Sequence, residues 1–339
     1  VTLPPRAVIF GCAGSELTDR ERRFFAEADP LGFILFQRNC VEPAQLRRLV
    51  AELRSSVGRA DAPVLIDQEG GRVLRLKPPH WRAAPAQGRF ADLAGRDRAS
   101  AREAAYLNAR ILAAELADLG ITVDCAPVLD LRLPGAHEII GDRALGSEPD
   151  QVAELGLAVA QGLLDSGVLP VIKHIPGHGR ANVDSHHELP VVDVSREVLE
   201  QTDFEPFRRL CSQPWAMTAH VIYRAVDPER PASLSPRVIE QVIRGSIGFD
   251  GFLVSDDVNM KALKGDVGEL SRTAIHAGCD AVLHCNGDFA EMERVARATP
   301  RLSDRALERL SRGSAMLPQR AEELNIAAAL GRIETLLAA

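Results

Sequence analysis

Eight short apolar runs, five to nine residues long, recur along this chain, and their spacing limits its fold more than any other feature. They are AVIFGCAG (7–14), LGFILF (31–36), PVLID (63–67), TVDCAPVLD (122–130), LPVIKHI (169–175), WAMTAHVIY (215–223), GFLVSDD (251–257) and DAVLHC (280–285). Nearly continuous apolar character means strands covered on both faces, as in a parallel sheet. Segments with helical spacing lie between them. EPAQLRRLVAELRSS sets Leu46, Leu49, Val50 and Leu53 on one face, and the segment 96–120 is a long helix stopped by Gly120. Further helices are expected over 148–167, 195–210 and 235–245. Eight strands alternating with helices predict an α/β fold, a (β/α)8 TIM barrel, with a doubly wound open sheet as the alternative. One domain over 1–339 is the simplest organisation, its helical tail (302–339) packed outside, with Ser303 as an N-cap and Pro318 between two tail helices.

Composition excludes several classes. Apolar residues make up 46% and aromatics 4%, so the core is aliphatic. A net charge of −7 with scattered Lys and Arg argues against a nucleic-acid surface. No apolar run approaches the roughly 20 residues of a membrane span. No leader pattern is visible and a cytoplasmic location is expected, although a chain beginning at Val1 leaves room for a removed segment. The six cysteines form no CxxC pair and read as buried, reduced thiols.

Active sites of such barrels lie at the C-terminal ends of the strands. Run three ends in Asp67, run four in Asp130, run five in Lys173 and His174, run six near His220, run seven in Asp256 and Asp257, and run eight in His284. Water at a strand end explains one or two such residues. It explains less well Lys173, His174, Asp256 and Asp257, which follow buried runs directly. In SDD (255–257), one acid can reach the mouth as nucleophile, base or metal ligand while the other caps a helix over VNMKAL.

The loop after run five, VIKHIPGHGRANVDSHHELP (171–190), holds four of the nine histidines. Gly177 and Gly179 let it fold back over the mouth. Asp184 and His186, two apart, share a face in extended chain; a carboxylate there raises the imidazole pKa and orients the ring, so His186 can donate a proton near neutrality. His187 reads as a packing residue, and His178 stays open between packing and chemistry. Arg75 and Arg143 at the rim suit a carboxylate or sugar hydroxyls.

DQEGGRV, GDRALGSEPD, IKHIPGHGRANVDSH and GFDGFLVSDDVNM, in this order over about residues 5–290 and with RN at 38–39, resemble glycoside hydrolase family 3. The likeness is greatest to its short, single-barrel β-N-acetylhexosaminidases of bacterial cell-wall recycling. That resemblance implies Asp256 as nucleophile, His186 as general acid/base with Asp184 as its partner, and Asp67, Arg75, Arg143, Lys173 and His174 as sugar-binding residues. It implies no cofactor, no metal and no nucleic-acid or membrane partner. The substrates would be N-acetylglucosaminyl muropeptides, and the expected state is a monomer. Ile175 stands where Phe is more usual, and VNMKAL where LSMEGA is common. The competing reading is a metal-dependent hydrolase on the same barrel, with His174, His178, His186, Asp256 and Asp67 as ligands. A third is a sugar-binding protein without turnover.

Overall fold

The computed structural model describes residues 3–135, 138–181 and 189–338. All eight apolar runs contain strands: β1 (Arg6–Gly11), β2 (Pro30–Leu35), β3 (Val64–Ile66), β4 (Val123–Asp124), β5 (Leu169–Ile175), β6 (Trp215–Thr218), β7 (Phe252–Asp257) and β8 (Ala281–His284). Each pairs in parallel with its sequence neighbours, and β8 returns to β1, closing a barrel. A two-stranded pair, Val191–Val192 with Ile222–Tyr223, lies outside it.

Alternation along the strands separates two cores. Ile9, Leu65, Val123, Val171, Met217, Val254 and Leu283 face inward and fill the barrel. Val8, Phe10, Val64, Ile66, Ile172, Ala216, Leu253 and Val282 face outward against the helices. This two-sided burial is why the runs read as uninterrupted apolar segments. Trp215 stacks on Phe252 at 4.5 Å near the strand starts.

The expected helices form over Pro43–Ser56, Arg98–Asp118 and Pro149–Asp165. The segment 195–210 instead makes two short helices, Arg196–Gln201 and Glu205–Arg209, because the turn between them breaks the ladder before Pro206. The segment after Ser235 winds as a wide, π-type helix over Val238–Ser246. Four more helices form over Asp19–Ala28, Gln87–Ala94, Val267–Ala277 and Phe289–Ala298, segments not singled out in the sequence; the first starts with a Thr18–Glu21 capping box. Ser303 caps Asp304–Ser314 as expected. Leu302, Ala306, Leu307 and Leu310 join the barrel-interior cluster, so this helix seals the end opposite the site. The last helix, Ile326–Ala338, packs outside on Arg98–Asp118 through Ile111, Ala329 and Ile333. No helix among the described residues is long and apolar enough to cross a membrane.

Helices Arg98–Asp118 and Pro149–Asp165 meet at Gly162, where an added Cβ would lie 2.5 Å from the Tyr106 carbonyl oxygen and 2.9 Å from Ala109 Cβ. Gly331, exposed on the last helix, would meet nothing within 4 Å. Gly331→Ala should therefore stabilise by up to about 1 kcal/mol, the helix-propensity gain. Gly162→Ala should destabilise despite the same gain, because two backbones must separate. Thermal melts of both variants decide this; equal upward shifts would mean that the helices do not touch there.

Candidate active site

The strand tips build a cavity of about 360 Å³ at the C-terminal mouth. Asp67, Arg75, Arg143, Lys173, His174 and Asp256, six of the eight site residues expected from the sequence, all line it. The other two, Asp184 and His186, lie outside the described residues.

Lys173, at the end of β5, is 1% exposed. Its Nζ lies 2.7 Å from Asp67 Oδ1 and 2.7 Å from Glu69 Oε1. Arg75 Nη2 reaches Asp67 Oδ2 at 3.0 Å, and Arg143 grips Glu69 with two bonds of 2.8 Å. Charges therefore alternate along Arg75–Asp67–Lys173–Glu69–Arg143, three cations to two anions. Burial opposes every charge, but the partners prevail. Against burial, Lys173 and Arg75 hold Asp67 well below the usual carboxylate range. Arg143 and Lys173 bring Glu69 to about 2. Against burial again, Asp67 and Glu69 raise Lys173. All five stay ionised across the neutral range.

Glu69 was not singled out in the sequence, although it sits inside DQEGGRV. Gly70 and Gly71 follow it with φ of 104° and 60°, in the left-handed region; a Cβ on Gly70 would lie 2.1 Å from the Pro85 carbonyl oxygen. This turn brings the acid back under the mouth. Gln68, between the two acids, is fully buried and accepts from the Arg75 and Leu76 amides at 2.9 and 3.1 Å, which fixes Arg75 beside Asp67.

His174 follows Lys173 through a cis peptide and also lines the cavity. Its Nδ1 lies 2.6 Å from Asp130 Oδ2; a carboxylate only accepts, so Nδ1 donates and Nε2 is the nitrogen a ligand would meet. Asp130 is fully buried and also accepts from the His178 amide at 2.6 Å. It lies beyond the end of β4 rather than at its tip, in a loop that Val128 joins to Lys173 by a parallel bridge. Against burial, His174 and His178 keep the Asp130 carboxyl low. His178 lines the cavity too; burial lowers it to about 4, against the pull of Asp130, so its ring is neutral near pH 7.

Asp256 and Asp257 line the same cavity from β7, with Met217, Met260, Leu283, Phe36 and Cys285 as apolar lining; Phe36 lies against the Arg75 guanidinium and Met217 pairs with Lys173. The Asp257 amide donates to Asp256 Oδ1 at 2.8 Å and orients its carboxylate. Asp257 Oδ1 accepts from the Asn259 and Cys285 amides at 3.1 and 3.2 Å. Asp257 thus caps as expected, but what it caps is a turn, since no helix forms over 258–264. Two further residues close the rim. Arg72 donates to the Glu138, Ile139 and Ile140 carbonyls and pairs with Asp142 at 3.0 Å, drawing the loop after β4 over the cavity.

Two strand-end histidines point elsewhere. His220 bonds Ser233, and His284 bonds Glu291 at 3.2 Å. Among the described residues no group of three or more His, Cys, Asp or Glu is arranged to hold a metal ion. Asp67 and His174, two of the ligands in the metal reading, are engaged by Lys173 with Arg75 and by Asp130. All six cysteines are free thiols.

Burial pushes the Asp257 carboxyl up to about 6, against the Asn259 amide and with Asp256 pushing the same way. A folded pKa above the unfolded one gives stability that is fully present below about pH 4 and lost as pH rises through about 6. Asp257→Asn keeps the accepting oxygen and lacks this dependence. Its stability relative to the natural chain should rise by about 2 kcal/mol between pH 4 and 7. Melts across that range test it; a constant difference would show that Asp257 ionises normally.

Comparisons with known proteins agree in one direction. Residues 16–312 match the glycosyl hydrolase family 3 N terminal domain. The chain is 41% identical over 283 residues to a beta-hexosaminidase of Alkalilimnicola ehrlichii, covering 82% of this chain and 80% of that one. It is 38% identical to a beta-hexosaminidase of Bordetella avium, covering 91% and 85%. Among solved structures, NagZ from Neisseria gonorrhoeae in complex with N-trifluoroacetyl-D-glucosamine superposes with a TM-score of 0.89 at 32% identity, over 99% of both chains.

Proposed function

The chain belongs to glycosyl hydrolase family 3, and from that membership we propose a retaining exo-β-N-acetylglucosaminidase that works through a glycosyl-enzyme on Asp256. It is a glycoside hydrolase of the β-N-acetylhexosaminidase class. The observation that carries the finer reading is that one cavity is lined both by an ordered array of ionic hydrogen-bonding groups and by a carboxylate on a strand tip.

In the first step an Asp256 oxygen attacks the anomeric carbon. The bond from that carbon to the leaving oxygen breaks, and the leaving oxygen takes a proton from the His186 imidazolium. In the second step neutral His186 removes a proton from water. The water oxygen bonds the anomeric carbon, the ester to Asp256 breaks, and the sugar leaves with its configuration retained. Asp184 holds the His186 ring. Both residues lie outside the described part of the chain, and their roles rest on the sequence pattern. Asp67, Arg75, Arg143, Lys173 and His174 hold the hydroxyls and the N-acetyl group, so that the anomeric carbon faces Asp256. Because the ion array is already paired, a sugar docks onto fixed donors and acceptors with little reorganisation. The natural substrates are N-acetylglucosaminyl muropeptides, and the enzyme acts as a cytoplasmic monomer without a cofactor or metal.

Asp256→Ala should keep the melting temperature within a few degrees and lower kcat on an aryl β-N-acetylglucosaminide by about 10⁴-fold or more. A slow fluorinated sugar should add one sugar mass to a peptide containing Asp256. Aryl β-glucoside should turn over far more slowly than the N-acetyl substrate, and a chelator should change neither rate. Substantial activity in Asp256→Ala would remove it as nucleophile. Release of a sugar oxazoline without an adduct would assign attack to the N-acetyl oxygen, and loss of activity on chelation would restore the metal reading.

A further inference from the structure

His220 lies two residues past the end of β6, yet the chemistry above makes no use of it. It is fully buried and stands behind the cavity wall. Its Nε2 lies 3.0 Å from the Asp257 main-chain oxygen, and its Nδ1 2.7 Å from Ser233 Oγ. A carbonyl oxygen only accepts, so Nε2 carries a hydrogen. In the neutral ring Nδ1 then accepts from Ser233. Ser233 Oγ has a longer second acceptor in the Ala219 carbonyl at 3.1 Å, and it lies 2.6 Å from Thr218 Oγ1, which can donate to it. A directed chain thus runs Thr218, Ser233, His220, Asp257 carbonyl. The preceding peptide group, whose Asp257 N–H donates to Asp256 Oδ1 at 2.8 Å, is joined to that held carbonyl through the Asp257 Cα.

The strand tip needs such a clamp. Pairing of β8 with β7 runs Ala281 to Val254 and then Leu283 to Asp257, so the ladder slips across Ser255 and Asp256. A bulge of this kind re-aims a side chain and leaves ladder bonds unmade. Side chains replace them. Ser255 Oγ accepts from the Leu283 amide at 3.2 Å, Asp257 Oδ1 accepts from the Cys285 amide, and His220 holds the Asp257 carbonyl from the β6 side. We propose that His220 is a positioning residue for Asp256, fixing the bulged tip of β7 so that the carboxylate stays aligned with the anomeric carbon. This rests on Asp256 being the nucleophile. A misplacement of about 1 Å is enough to cost on the order of 10²-fold in rate.

The test compares the natural chain with His220→Leu, which has no donor, and His220→Gln, whose amide nitrogen can reach the same carbonyl. Turnover of an aryl β-N-acetylglucosaminide and the rate of labelling by a slow fluorinated sugar are measured for each, with melting temperatures. His220→Leu should lower kcat by about 10–100-fold, with KM changed less than about twofold and labelling slowed in proportion; His220→Gln should recover most of the loss. A purely structural role would move the melting temperature without this split or recovery. If His220→Leu does not fold, Ser233→Ala, which removes only the hydroxyl behind the ring, should lower kcat by about 10-fold. A labelled natural chain beside a folded His220→Leu chain of equal kcat and labelling rate would overturn the clamp alone, as would Ser233→Ala with unchanged kcat in the other case. An unlabelled natural chain would overturn the nucleophile assignment and the clamp with it.

Discussion

One ammonium group, enclosed by protein and touching two carboxylates at 2.7 Å each, is the element on which the rest of this site depends. Lys173 cannot stand there alone. Burying an ion costs several kcal/mol, and the attraction of a partner repays this only when geometry is good and remaining hydrogen bonds are filled. Asp67 and Glu69 provide that, and each is completed from outside by an arginine. Removing one member leaves an uncompensated buried charge, which costs about 3–5 kcal/mol. Replacing the whole set by apolar residues would cost far less. The array is therefore poorly explained as a stabilising device and well explained as a rigid surface for a polar ligand.

The barrel makes the array affordable. Its strands deliver Asp67, Lys173, His174, Asp256 and Asp257 to one rim from β3, β5 and β7, and loops return Glu69, Arg75, Arg143 and Asp130 beneath or beside them. Protonation states then sort by neighbour. Cations beside Asp67 and Glu69 keep them ionised, Asp130 fixes one nitrogen of His174, and burial leaves His178 neutral. Apolar side chains line the cavity between these groups, and the β7 carboxylates are held by main-chain amides. The proposed reaction sets the sugar hydroxyls on the ionic array and the anomeric carbon at Asp256.

Much of this is legible in the sequence. Two-sided burial makes parallel strands visible as apolar runs, and a polar residue at the end of such a run stands out, as Asp67, Lys173, His174 and Asp256 do. Glu69 escaped because it closes nothing; its place depends on the Gly70–Gly71 turn and on Arg143, 74 residues away. Asp130 looked like a strand tip, but its work is to orient His174 and the His178 amide from a loop. Arg72 became meaningful only through three carbonyls of a distant loop. The helix expected after Asp257 failed because local capping chemistry serves turns as readily as helices. Asp184 and His186 stay where the sequence put them, as expectations.

The stereochemistry of the first product tests the central claim most directly. Proton NMR of a fresh reaction on an aryl β-N-acetylglucosaminide resolves the anomeric signals before the free sugar equilibrates. A covalent sugar on Asp256 is formed with one inversion and released with another, so the β-anomer should appear first. Appearance of the α-anomer first would mean that water attacks directly, and Asp256 could not be the nucleophile.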